Sequence, residues 1–430
     1  MKITHQHRLI TALILAISVL AIIHFALPIL GAVGWLFMVV LLFDAWLDYW
    51  MHRNKSQLSQ RTQKIFLWTF YLSVLVFILL ILAFWISPIA HWTPFLRVYG
   101  YGLILVVISL KIVLASLLFL QFLASKISVL KKFSSPKCWF RGSMWILALA
   151  LVVMLYGTVY EAFNLRVRRV EVQTEAVPKA FDGYRIVQFS DMHIGSQVWE
   201  FYVRRLVDSI NAQNPDIVVF TGDMLNFYTE EIVPFIPLFS KIQAKDGVFA
   251  VLGNHDYGGY LNWRTPQDSI DNLQRLIDIY HSMGWRVLLN EHVWLHRGED
   301  SIALAGVENY SSPRTRRWKN LANTQQALEG VSPTDFIVML SHNPEHFRRE
   351  LKPYFPHVNL TLAAHSHGGQ IAIGIRNFKF SISNFAMRYW RGLYQIGDQF
   401  LHVDTGSGFN ILPFRVNMPP SISVITLSAQ

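Results

Sequence analysis

One cysteine, Cys138, occurs in 430 residues. An internal disulfide is impossible, and both a disulfide scaffold and a cysteine-rich zinc site are excluded. Acidic residues are nearly missing from the first 164 positions, where only Asp44, Asp48 and Glu161 stand against thirteen lysines and arginines. The net charge of +10 belongs wholly to that segment, because the remaining residues carry 25 basic and 25 acidic side chains. A basic excess confined to loops between apolar runs sets membrane topology and leaves no electrostatic footprint for nucleic acid, which is set aside as a partner. Internal repeats and low-complexity tails are also lacking.

What the chain has in abundance is apolar sequence, 52% of all residues. Five runs stand out, at residues 9–26, 32–47, 65–86, 99–124 and 144–160, most of them near the ~20 residues a bilayer requires. The first two are separated by "PILGAVG", whose Pro28, Gly31 and Gly34 suit a tight turn. A cleaved signal peptide fits less well, since more apolar sequence follows at once without a small-residue cleavage site. Lys2 and Arg8, then Arg53, Lys55, Arg61 and Lys64, then Lys126, Lys131, Lys132, Lys137 and Arg141 occupy alternate loops. With these loops in the cytoplasm, five crossings place the chain beyond residue 160 outside it. Arg166, Arg168 and Arg169 oppose this orientation, but long translocated domains are largely indifferent to such flanks. Lys111 falls near the middle of the fourth run, where a charge is costly; Asp44 is its possible partner in a structural pair.

Beyond about residue 165 the pattern changes. Short β-like runs alternate with amphipathic stretches such as 199–212 and 266–283, and each run ends in polar residues: "YRIVQFSD", "DIVVFTGD", "GVFAVLGNHD", "DFIVMLSHN" and "LTLAAHSH". This predicts an α/β domain over 165–430 after a helical transmembrane domain over 1–164, with strands buried on both faces. Ligand chemistry in such sheets gathers at the carboxyl ends of the strands. The polar endings supply Asp191, His193, Asp223, Asn254, His255, Asp256, His342, His365 and His367. Asp-x-His and His-x-His place two side chains on one side of an extended segment, so each pair can grip one cation. A lone pair of this kind, or a lone "GD", is ordinarily turn chemistry. Five such endings in one domain are not.

In their order these motifs resemble those of the calcineurin-like metallophosphoesterases: D-x-H, G-D, G-N-H-[DE], a lone His, then G-H-x-H. The likeness runs from Tyr184 to the end of the sequence, including "HGGQ" and the tail from "RGLYQIGDQF", and is closest to membrane-anchored bacterial members. Ala364 replaces the usual glycine before the last motif, and the five-run anchor exceeds the single one usual there. The resemblance implies a two-sheet αββα sandwich, which the five apolar runs place after an all-α transmembrane domain of about five helices. It implies that Asp191, His193 and His367 hold one divalent metal, that Asn254, His342 and His365 hold a second, and that Asp223 bridges them. His255 would meet the leaving oxygen, with Asp256 holding its ring. Two cations about 3.5–4 Å apart activate water for in-line attack at phosphorus. Donor type leaves Mn, Fe and Zn open.

Aromatic and basic residues near these motifs suit either the core or a phospholipid-like substrate: Trp199, Phe201, Tyr202, Phe227, Tyr228 and the stretch "RNFKFSISNFAMRYWRGLY". "PRTRRWKN", with Arg314, Arg316, Arg317 and Lys319, reads first as a solvated loop and second as an anion contact. The expectation is a phosphohydrolase of the bacterial inner membrane, a phosphodiesterase in its narrower form, acting outside the cytoplasm on a phospholipid-like or other phosphoester, with membrane lipids as partners. The alternatives are a metal-binding sensor or scaffold without turnover and, least supported, a transporter with an appended domain.

Overall fold

The computed structural model describes residues 31–87, 91–312, 319–375, 378–410 and 412–430. The apolar run at 9–26 and the side chains Arg314, Arg316 and Arg317 lie outside these residues. The chain divides into two compact units, Met1–Met154 and Leu155–Gln430.

The first unit is helical: α1 (Gly31–Asn54), α2 (Gln60–Ile86), α3 (Tyr101–Ala124) and α4 (Pro136–Val159). Ser59 caps α2 by accepting from the Thr62 N–H at 3.2 Å, and a π turn, Leu96–Gly100, leads into α3. Two helical stretches among the described residues are long and apolar enough to cross a membrane, Leu96–Ala124 and Pro136–Phe163. Lys111 of α3 forms an ion pair with Asp44 of α1, so each charge in this apolar setting has its counter-charge. Trp50 is fully buried and donates to Gln121 Oε1 at 2.7 Å, tying α1 to α3.

The second unit contains two six-stranded sheets. The first has the order β1 (Arg166–Gln173), β14 (Ser421–Ser428), β2 (Arg185–Phe189), β3 (Ile217–Phe220), β4 (Val248–Ala250), β5 (Trp285–Val287). The second runs β12 (Gly392–Ile396), β13 (Gln399–Val403), β9 (Leu360–Ala363), β8 (Phe336–Leu340), β7 (Asp300–Gly306), β6 (Glu291–Arg297). The β2–β3–β4–β5 and β7–β8–β9–β13 neighbours are parallel; β14 runs antiparallel to β2 and parallel to β1.

Alternation along the strands assigns the layers. Ile186, Val219, Val338, Leu340, Leu360 and Leu362 belong to one apolar cluster shared by both sheets. Their neighbours Val187, Phe189, Val218 and Phe220 face the opposite way, against Tyr202, Leu206 and Ile210 of α5 (Glu200–Asn211) and Leu276 and Tyr280 of α6 (Pro266–Ser282). Across the second sheet, Ile337, Met339 and Leu401 pack with Phe347 and Leu351. Strands covered on both faces have no polar face, which is why their sequences are continuous apolar runs. Helix α6 starts sharply because Thr265 and Asp268 form a reciprocal capping box with Pro266 at the first helical position.

Candidate metal centre

Each candidate side chain sits just past the carboxyl end of a central strand. Asp191 and His193 follow β2, Asp223 follows β3, Asn254 follows β4, His342 follows β8, and His365 and His367 follow β9. Parallel pairing within each sheet puts these ends in register, and sheet-on-sheet packing brings the two rows together. One donor atom each from Asp191, His193, Asp223 and His367 lies within 4.8 Å of the others, and the same holds for Asp223, His342 and His365. Asp223 is common to both groups.

Inside the groups, ring nitrogens face one another at hydrogen-bonding distance. His193 Nε2 lies 2.9 Å from His367 Nε2, and His342 Nε2 lies 3.0 Å from His365 Nδ1. Burial pushes His193 and His365 down to about 3 and His367 well below its ordinary value, so these rings are neutral and present lone pairs. His367 Nε2 is 3.4 Å from Asp191 Oδ1, a buried oxygen without a hydrogen-bond partner. Burial raises the Asp191 carboxyl to about 7. Asp223 Oδ2 stands 3.1 Å from His342 Nε2 and 3.7 Å from His193 Nε2. Burial opposes its charge, but His342 and His255 hold it well below the usual carboxylate range. Burial likewise opposes the His342 charge, yet the Asp223 carboxylate carries it up to about 9. Buried carboxylate oxygens converging with three imidazoles held neutral, beside His342, are a donor set that fits divalent cations of borderline hardness.

The backbone is bent to achieve this. Asp191, His193, Asp223, His365 and His367 all have positive φ, between 41° and 67°, a region that non-glycine residues enter at a cost. Ala364 is not among such residues; it is buried, and its N–H donates to His342 O at 2.9 Å. The replacement of glycine there carries no strain. Gly253 is required by contact, since a Cβ at that position would overlap the Asp223 carboxylate.

A polar layer supports the donors. His342 Nδ1 donates to Thr221 O at 2.8 Å, which fixes the ring with Nε2 turned toward Asp223. Ser190 Oγ lies 2.7 Å from Asp191 Oδ2 and 3.0 Å from Asp404 Oδ2, and Ser423 donates to Asp404 Oδ1 at 2.9 Å. Gln188 donates to Thr221 Oγ1 and Ala363 O, joining the two sheets below the site, and its carbonyl contacts His402 Nδ1 at 2.8 Å. Arg415, fully buried, donates to Thr405 O, Gly408 O and Met418 O. The sequence reading did not single out Asp404, Gln188, His402 or Arg415. Asp404 follows β13 in "HVDTGSG", the same polar ending after an apolar run, and that signal was available.

Asn254 and His255 complete the arrangement. Asn254 Nδ2 donates to the Tyr260 hydroxyl at 3.0 Å, while its Oδ1 is buried without a hydrogen-bond partner. The His255 backbone N–H donates to Asp223 Oδ1 at 2.9 Å. Its ring stands 4.5 Å from that of His193 and stacks on Tyr260 at 4.0 Å. The expectation that Asp256 holds this ring is corrected. His255 Nδ1 donates instead to Asn226 O at 3.0 Å, and the loop around Asn226 is fixed by Glu231, which accepts from the Asn226 and Phe227 N–H groups. The Asp256 carboxylate turns back under the strand ends and accepts from the backbone N–H of Asp223, Met224, Leu225 and Gly253. Its work is to splice the ends of β3 and β4.

Residues 184–369 match the calcineurin-like phosphoesterase family. The chain is 28% identical over 293 residues to a transmembrane protein with metallophosphoesterase domain from Danio rerio, covering 67% of this chain and 63% of that protein. It thus spans less than two thirds of that relative. An uncharacterized metallophosphoesterase of Bacillus subtilis is 28% identical over 64% of this chain and 89% of its own length. The UDP-2,3-diacylglucosamine pyrophosphatase of Chlamydia muridarum is 25% identical over 65% of this chain and 94% of its own. The order of the strand-end motifs, their convergence on Asp223 and these matches agree that residues 184–369 form a calcineurin-like metallophosphoesterase domain.

Proposed function

We propose that the chain is a membrane-anchored, dimetal phosphohydrolase that cleaves a phosphodiester or pyrophosphate bond in a substrate bearing an apolar tail. The observation that carries the hydrolytic reading is the pair of donor clusters meeting at Asp223. Asp191, His193 and His367 would hold one cation, Asn254, His342 and His365 the other, with the Asp223 carboxylate between them. Mn, Fe and Zn all suit this donor set. Such a pair supplies an activated water and positive charge at the phosphoryl oxygens.

The side chains do the rest. Asn254 offers a carbonyl oxygen that adds no negative charge, so the centre stays cationic toward a phosphate. His255, with Nδ1 committed to Asn226 O, presents Nε2 for a proton to the leaving oxygen.

The apolar tail is supported by a surface beside the site. The hairpin of β10 (Ile373–Ile375) and β11 (Phe378–Phe380) exposes Ile373, Ile375, Phe378 and Phe380 by 64% to 87%. The chain after it touches the metal loop, where Ser383 Oγ donates to Ser366 O between His365 and His367. A patch of this kind on a soluble surface is unusual and marks an apolar partner. Trp199 and Phe201 are also exposed, whereas Tyr202 is core. The chlamydial relative's name specifies a diacylated substrate, which agrees with such a surface.

Membrane anchoring rests on the two long apolar stretches and on the named transmembrane relative. The full reading is five crossings of a bacterial inner membrane with the catalytic domain outside the cytoplasm. The test is hydrolysis of a chromogenic phosphodiester by the full chain, with metal content measured in parallel. Turnover is expected to require added Mn, Fe or Zn, to stop on chelation, and to vanish in Asp223→Asn. Full metal occupancy without turnover across mono-, di- and pyrophosphoesters would replace this reading with a metal-dependent sensor or scaffold.

A further inference from the structure

The helical unit contains a basic cavity made of residues other than the donors described above. A cavity of about 740 Å³ opens where α1 ends, α3 ends and α4 begins. Arg53, Lys126, Lys131 and Lys132 line it together with Asn54 and Ser134, and no carboxylate does. Arg53 and Lys126 both lie 5.5 Å from the Phe122 ring centroid, so two cations share one aromatic ring as their neighbour. Only Asp44 and Asp48 are acidic between residues 31 and 154; Asp44 pairs with Lys111, and neither is among the residues that line the cavity.

The cavity is built, not a chance meeting of loops. Gln121 is buried, accepts from Trp50 Nε1 at 2.7 Å and donates to Ser134 O at 2.7 Å; Asn54 donates to Trp50 O at 2.8 Å. These bonds fix the floor on which the cations stand. The first turn of α4 adds the partial positive charge of a 24-residue helix at Pro136, which also lines the cavity.

The same loop shows what delivers the anion. Between Lys126 and Lys132, and just beyond, Ile127, Val129, Leu130 and Phe133 are exposed by 42% to 71%. Apolar side chains interleaved with lysines at the end of a membrane-length helix dip into the acyl boundary while the ammonium groups remain at headgroup level. We infer that this cavity binds the phosphate group of an anionic lipid headgroup. The inference rests on the membrane placement of the helical unit and is independent of hydrolysis at the metal centre. Basic pockets between transmembrane helices recognise phosphate-bearing headgroups by this combination of charge and depth.

The test uses the full chain in a neutral detergent, titrated with phosphatidylglycerol, phosphatidylcholine or inorganic phosphate, with bound adducts read by native mass spectrometry. Phosphatidylglycerol is expected to remain bound where phosphatidylcholine does not. Each neutralising substitution among R53Q, K126Q, K131Q and K132Q is expected to weaken retention about fivefold. Lys126→Arg, Lys131→Arg and Lys132→Arg together should retain the lipid, separating lost charge from lost fold. Asp223→Asn should retain it as well, so that failure at the metal centre and failure here are distinguishable. Equal retention of phosphatidylcholine, undiminished binding by a variant that combines R53Q, K126Q, K131Q and K132Q, or displacement of lipid by inorganic phosphate at equal concentration would overturn the assignment.

Discussion

His255 and Asp256 are adjacent in sequence and opposite in role. The ring of His255 is held by Asn226 O and faces the donors, whereas the Asp256 carboxylate is spent on four backbone N–H groups. Replacing His255 by Asn is expected to lower kcat by about 10²- to 10⁴-fold with metal content unchanged, as loss of a proton donor does. Replacing Asp256 by Asn puts an amide among donors and should cost about 3 kcal/mol of stability, lowering Tm and metal occupancy together. Rate and metal assays on the two purified variants separate these outcomes. The candidate ligands were legible in the sequence because each terminates an apolar run, and parallel strands deliver their ends to one place. The part played by Asp256 was not, because the turn in which its N–H bonds to Gly253 O decides which way its side chain points. Asn226 escaped notice for a similar reason: it contributes only a backbone carbonyl, which every residue possesses.

Among the elements, the exposed β10–β11 hairpin makes the sharpest prediction. Serine at Ile373, Ile375, Phe378 and Phe380 should raise KM for an acylated phosphoester while leaving turnover of a small chromogenic ester unchanged. Comparing the two substrates on one variant preparation is the measurement. Equal effects on both would assign the hairpin to folding. The hairpin was only half legible. "RNFKFSISNFAMRYWRGLY" announces apolar and basic character, but whether such residues face the core or water depends on what packs above them. The central strands were clear from uninterrupted apolar runs; β6 and β7 were not singled out, since β6 mixes Glu291, His292, His296 and Arg297 with its apolar residues. Among the helices, the pairing of Lys111 with Asp44 follows from their depth in apolar segments, where an unpaired charge is costly.

On the scale of the molecule, β14 holds the sheets of the second unit together. It lies between β1 and β2 in the first sheet, burying Ile422, Val424, Ile425 and Leu427. Its Ser423 also supports Asp404 behind Asp191. No local pattern reveals that this strand inserts beside residues hundreds of positions earlier. Deleting Ser421–Ser428 should therefore abolish metal binding and expose the β2 edge, seen as rapid proteolysis and aggregation of the second unit. Since β14 leaves the ribosome after every other strand of its sheet, β2 must wait beside an empty slot through most of synthesis. On the proposed outward orientation the domain would have to cross the membrane unfolded, and a sheet that locks only when β14 arrives would suit that delay.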